Sequence, residues 1–139
     1  MESLEELKLK LRKFAGDRDW DQFHSPKNIA MALSVEVSEL LEHFQWLTED
    51  ESKNLDETAL SEVADEIADV QNYLVRLADK LGIDILDAAA IKFVKNEAKY
   101  PADLVRGSSK KYSQYKQIRD DARSDVQPET QPDMKPKQS

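Results

Sequence analysis

The sequence contains no cysteine, only three glycines and five prolines, and no apolar run approaching the ~18 residues of a membrane span. The missing cysteines exclude disulfides, thiolate zinc sites and cysteine nucleophiles. The opening stretch from Met1 to Phe14 is charged and interrupted, unlike a secretory leader, so a soluble cytoplasmic protein is expected. Neither a glycine-rich phosphate loop nor a nucleophile elbow is present, which sets aside P-loop and serine-hydrolase chemistry. Basic charge is also short, with 20 Lys and Arg against 28 Asp and Glu for a net charge of −8. Binders of nucleic acid or of anionic membranes depend on clustered Lys and Arg, so neither partner is expected. Phosphate handled by such a chain is expected to arrive with a metal.

What the chain does have is helical periodicity between sparse breakers. Gly16, Pro26, Gly82, Pro101 and Gly107 divide it into four helical patterns, and strands have almost no place. Leu4, Leu7, Leu11 and Phe14 form one stripe on a first helix ending near Ala15. Ser25 as cap and Pro26 at the first helical position start a second, with Ile29, Leu33, Val37, Leu40 and Phe44 on one face and an expected end near Trp46 or Leu47. Met31, Val35 and Trp46 lie on the opposite side, which predicts a helix covered on both faces in an obligate homodimer, or a dimer of dimers. The third pattern is a heptad seam of Leu60, Val63, Ile67, Val70, Leu74, Leu77 and Leu81, stopped by Gly82. The fourth follows Asp84 and runs to about Tyr100. The fold class is therefore all-α, a four-helix bundle. Residues to Arg106 carry 13 basic and 23 acidic side chains, and those beyond carry 7 and 5. With few apolar residues, the end after about Ile118 is expected to be disordered.

Acidic pairs three residues apart are common by chance in so acidic a chain. Glu36 and Glu66 differ from the others in their placement. At 100° per residue Glu36 lies about 20° from Ile29 and about 40° from Leu40, and Glu66 lies about 20° from Leu77, inside the edges of the apolar stripes. Glu39 and Asp69 stand one turn further along. Packing of the second and third helices could bring all four carboxylates together, and four like charges require a cation. Oxygen-only ligands favour Mg²⁺, or Mn²⁺, over zinc. The competing reading is a solvated acidic face with Lys and Arg partners. A di-iron bundle is disfavoured because no Glu-x-x-His pair occurs on two helices.

The segments Asp17-Arg18-Asp19-Trp20-Asp21-Gln22-Phe23-His24, Glu36-Val37-Ser38-Glu39-Leu40-Leu41-Glu42-His43-Phe44-Gln45-Trp46, Asp65-Glu66-Ile67-Ala68-Asp69-Val70 and Lys99-Tyr100-Pro101 together resemble the MazG-like nucleotide pyrophosphohydrolases, most closely their dCTP pyrophosphatase branch. The shared pattern is Glu-x-x-Glu followed, after 26 residues here, by Glu-x-x-Asp. The likeness covers about Leu4 to Tyr115. It implies an all-α oligomer that cleaves a nucleoside triphosphate, dCTP or a related or modified nucleotide, to the monophosphate and pyrophosphate with Mg²⁺. It puts the metal on Glu36, Glu39, Glu66 and Asp69. Spacing does not single out the carboxylate that removes the proton of the attacking water, and Glu39 or Glu66 is taken for that role. The likeness matches Trp20, Trp46 and Tyr73, with His24, to residues holding the base, and Lys92 and Asn96 to substrate contacts. It makes Lys111 and Tyr112, in the arm 107–118, a closure over the phosphates of a domain spanning 1–106, followed by a tail at 119–139. A uracil-nucleotide diphosphatase of the dUTPase-like all-α branch is the near alternative, and a non-enzymatic helical dimerisation protein the distant one.

Overall fold

A computed structural model describes residues 1–108, and every described element is helical. In chain order these are α1 (Leu4–Gly16), a 3₁₀ turn (Trp20–Gln22), α2 (Pro26–Glu42), a second 3₁₀ turn (Glu51–Lys53), α3 (Glu57–Leu81), α4 (Ile85–Lys99) and the short α5 (Ala102–Val105). None of these helices is long and apolar enough to cross a membrane. The expectations for Lys111, Tyr112 and the tail lie outside the described residues.

The helix starts follow capping chemistry. Ser3 accepts a hydrogen bond from the Glu6 N–H at 3.1 Å, Ser25 from Asn28 at 3.2 Å, Asp56 from Ala59 at 2.8 Å and Asp84 from Asp87 at 3.0 Å. α3 ends in a Schellman turn, with Gly82 at φ 65° and the Ile83 N–H donating to the Ala78 carbonyl at 2.9 Å. One boundary departs from the sequence reading: α2 stops at Glu42 rather than near Trp46. Beyond it the chain tightens, Phe44 N–H donating to Leu41 and Leu47 N–H to Phe44, both at 3.0 Å. Thr48 and Glu51 then cap each other, the Thr48 N–H and hydroxyl both reaching a Glu51 carboxylate oxygen at 2.8 Å. That Thr-x-x-Glu box caps the second 3₁₀ turn.

The described residues divide into two compact units, Met1–Ala89 and one that begins at Ala90. In the first, α3 is the central element, packed on one side by α2 and on another by α1. α2 and α3 run antiparallel, since Glu36 and Glu39 approach Glu66, while His43, further along α2, approaches Glu62, earlier on α3. Among the described residues the buried apolar side chains are Ala15, Ile29, Val63, Val75 and Ala78, and the one buried charged residue is Arg76, 6% exposed. The expected seam of α3 splits into two rows. Val63, Val70 and Leu77 turn inward, whereas Leu60, Ile67, Leu74 and Leu81 are 42–57% exposed. Adjacent positions of a heptad seam point about 25° to either side of its centre, and in the single chain α1 and α2 cover only one flank. On α2, Ile29 is buried as expected, Met31 and Val35 are exposed in the single chain, and Val37, assigned to the core face, is 48% exposed. α4 buries none of its residues.

Candidate functional site

α2 and α3 place three of the four singled-out carboxylates together. Glu36, Glu39 and Glu66 each offer an oxygen, and the three oxygens lie within 4.8 Å of one another. Glu36 and Glu66 are half-buried and Glu39 is exposed. Burial pushes the Glu36 carboxyl above the ordinary carboxylate range, aided by the charges of Glu39, Asp69 and Glu66 and by a hydrogen bond shared with Glu39. Crowded carboxylates of this kind are relieved by a proton or a cation. Oxygens spaced this way suit a hard divalent ion, whose oxygen ligands sit at about 2.0 to 2.6 Å. Asp69 stands outside the tight trio yet near enough for its charge to act on Glu36.

Asp69 also lines a cleft of about 400 Å³ bounded by α1, the first 3₁₀ turn and α3. Trp20, His24 and Tyr73 stand on its wall with Asp69, so four residues selected from the sequence meet there. Trp20, 44% exposed, contacts Phe14 edge-on at 5.8 Å between ring centroids and His24 at 6.4 Å. The Arg18 guanidinium lies 3.6 Å over the Phe14 ring and bonds the Phe14 carbonyl at 3.0 Å. Burial, with the charges of Glu36 and Asp69, raises the Tyr73 phenol above its usual value, so it remains a hydrogen-bond donor. His24 moves the other way. Burial lowers its pKa, the cations Arg76 and Lys80 lower it further, and Asp21 opposes them.

The remaining sequence candidates fall elsewhere. Trp46, in the turns after α2, is 87% exposed and takes no part in the cleft wall of its own chain. Lys92 and Asn96 lie on exposed turns of α4 in the second unit. The sequence reading missed Lys10, Asn72 and Arg76 as wall residues, and took Phe14 for stripe packing alone. For two of them a signal existed: Asn72 follows Asp69 by three residues and Arg76 follows Tyr73 by three, so all four share one face of α3.

Comparison with known proteins bears directly on this arrangement. The chain is 40% identical over 114 residues to dCTP pyrophosphatase 1 of Homo sapiens, covering 81% of this chain and 67% of that protein. It is 39% identical over 116 residues to dCTP pyrophosphatase 1 of Bos taurus, covering 80% and 67%. A crystal structure of a pyrophosphatase from Archaeoglobus fulgidus is similar with a TM-score of 0.67 and 47% identity, over 70% of this chain and 91% of that one. Residues 31–115 match the MazG-like family, a span that takes in Glu36, Glu39, Glu66, Asp69 and Tyr73 and so both walls on which the carboxylates stand. On the fold, the relatives and this matched span together, the chain belongs to the MazG-like family.

Proposed function

We propose that the protein is a divalent-metal-dependent nucleoside triphosphate pyrophosphohydrolase acting on dCTP or a closely related deoxynucleotide. The observation that carries the reading is the adjacency, within one compact unit, of a three-carboxylate cluster and an aromatic cleft, with Asp69 at their border. The relatives named dCTP pyrophosphatase 1 support both the reaction class and the base.

Glu36, Glu39 and Glu66, with Asp69 beside them, are the residues that would hold Mg²⁺, and Mn²⁺ shares the required oxygen preference. Bound there, the ion supplies charge for the phosphate oxygens and acidity for a water molecule. The protein's own part is placement. Trp20 and Tyr73 offer faces and edges to a base, and stacking is worth about 1 to 3 kcal/mol per base. His24 and Asn72 supply polar atoms beside them, and Lys10, ion-paired with Glu6 at 2.8 Å, adds a more exposed positive charge than Arg76 for phosphate to meet. Glu39 or Glu66 takes the proton of the attacking water, Glu39 being the more exposed of the two. Trp46, Lys92, Asn96, Lys111 and Tyr112 are assigned to the same substrate by likeness to the family, in a homodimer or dimer of dimers.

The test is pyrophosphate release across the canonical and several modified triphosphates at fixed Mg²⁺, on the wild type and on Glu36→Gln, Glu39→Gln, Glu66→Gln and Asp69→Asn. The expected result is a preference for dCTP and loss of most turnover in each variant with helical circular dichroism retained. Removing one of several repelling carboxylates also raises the thermal midpoint of the metal-free chain. Absence of pyrophosphate from every triphosphate, together with absence of Mg²⁺ uptake in calorimetry, returns the protein to a helical dimerisation role.

A further inference from the structure

Trp20 and His24 stand on the connection between α1 and α2, which holds no regular structure beyond a single 3₁₀ turn. A wall built on such a segment needs an anchor, and α3 supplies one. Arg76 is 6% exposed, and each of its three guanidinium nitrogens donates a hydrogen bond. Its Nη2 donates to the Asp21 carboxylate, its Nη1 to Asp79 at 3.1 Å, and its Nε to the Nδ1 of His24 at 3.4 Å. Lys80 grips Asp21 from the next turn of α3 at 2.7 Å, and Arg12 of α1 holds Asp79 by a two-pronged contact with distances of 2.5 to 3.1 Å. The connection is thereby tied to α3 at Asp21, immediately after Trp20, and again at His24.

The bond to His24 carries chemical information. A guanidinium N–H only donates, so the Nδ1 it meets must be unprotonated. The proton of the neutral imidazole then resides on Nε2, and Nε2 is the ring nitrogen left for a ligand in the cleft that His24 lines. Protonating Nδ1 would set two donors against each other and add a cation beside Arg76 and Lys80, opposed only by Asp21.

We infer that Arg76 is a positioning residue for substrate recognition: it fixes Asp21 and His24 against α3 and locks His24 in the Nε2–H form, so that the cleft offers a neutral N–H donor to an acceptor edge of the base. A ring nitrogen or carbonyl oxygen satisfies that donor, whereas an exocyclic amino group opposes it. The substrate part of this inference rests on the function proposed above; the tautomer part does not.

The experiment uses the full chain with ¹⁵N-labelled histidine at pH 8, free of metal and nucleotide, with a His43→Gln chain to assign the two rings. Wild type is expected to show His24 with unprotonated Nδ1 and protonated Nε2, and Arg76→Met to show a mixture of tautomers. In turnover assays Arg76→Met is expected to raise KM about tenfold while kcat changes far less, and Arg76→Lys to recover part of the loss. Should Arg76→Met fail to fold, Asp21→Asn loosens the same wall from its exposed side and is expected to raise KM severalfold. An Nδ1–H tautomer in wild type, or folded Arg76→Met with unchanged KM, overturns the inference. Wild type that shows the Nε2–H form but releases no pyrophosphate overturns the proposed function and leaves the tautomer assignment standing.

Discussion

Replacing Asp79 by Asn keeps the shape of the side chain and removes the charge that joins α1 to α3. The carboxylate is 7% exposed and accepts from Arg12 Nε at 2.9 and 3.1 Å, from Arg12 Nη2 at 2.5 Å and from Arg76 Nη1 at 3.1 Å. Removing one partner of a buried ion pair costs about 3 to 5 kcal/mol when the other charge is left uncompensated. Here Arg76 keeps Asp21, and the Arg12 side chain, 52% exposed, can turn to water. The expected loss is therefore smaller, about 2 to 3 kcal/mol. At about 4 to 8 °C per kcal/mol for a domain near 100 residues, the thermal midpoint falls by about 8 to 24 °C. The loss should also depend on pH. Arg12 first, then Arg76, hold the Asp79 carboxyl below the ordinary carboxylate range. A depressed acid contributes stability that is complete above its unfolded pKa of about 3.9 and disappears as the pH falls through the lower folded value. Wild type and Asp79→Asn should thus differ fully at pH 7 and converge as the pH is taken below about 3.9. Urea unfolding followed by circular dichroism from pH 7 to pH 3 measures both effects. A difference under about 0.5 kcal/mol at pH 7, the range typical of unremarkable surface substitutions, or a gap that persists unchanged into acid, refutes the reasoning.

Gly82→Ala forces a left-handed residue to carry a Cβ, which meets nothing within 4 Å, so the cost is conformational alone. It should be about 1 to 2 kcal/mol in the free energy of urea unfolding, with turnover unchanged. Light scattering at micromolar concentration should return two or four times the 15.9 kDa chain mass, because Met31, Val35, Leu60 and Ile67 are each more than half exposed in the single chain. A mass of one chain contradicts the assembly. A chain ending at Ile118 should match the full protein in stability and turnover. One ending at Arg106 should raise KM for the triphosphate more than it lowers thermal stability, and unchanged kinetics would strip Lys111 and Tyr112 of their assigned role.

The sequence by itself determined what is local. Ser25 with Pro26, Asp56 and Gly82 set helix ends through bonds spanning three to five residues, and the spacing of Glu36, Glu39 and Glu66 put carboxylates on packing edges whatever the exact crossing of the helices. The Thr48-x-x-Glu51 spacing is likewise local, and it caps the second 3₁₀ turn through bonds spanning three residues. Tertiary structure decided the rest. Which row of the α3 seam turns inward depends on the side from which α1 and α2 approach, and a heptad pattern is symmetric with respect to that choice. The meeting of Arg76 with Asp21, 55 residues away, and with His24, 52 away, follows from the path of a nine-residue connection (17–25) that no periodicity constrains. Trp20 enters the cleft and Trp46 stays outside it for the same reason: both read as aromatic candidates near a helix end, and only the packing of α1 against α3 gives one of them a wall to stand on.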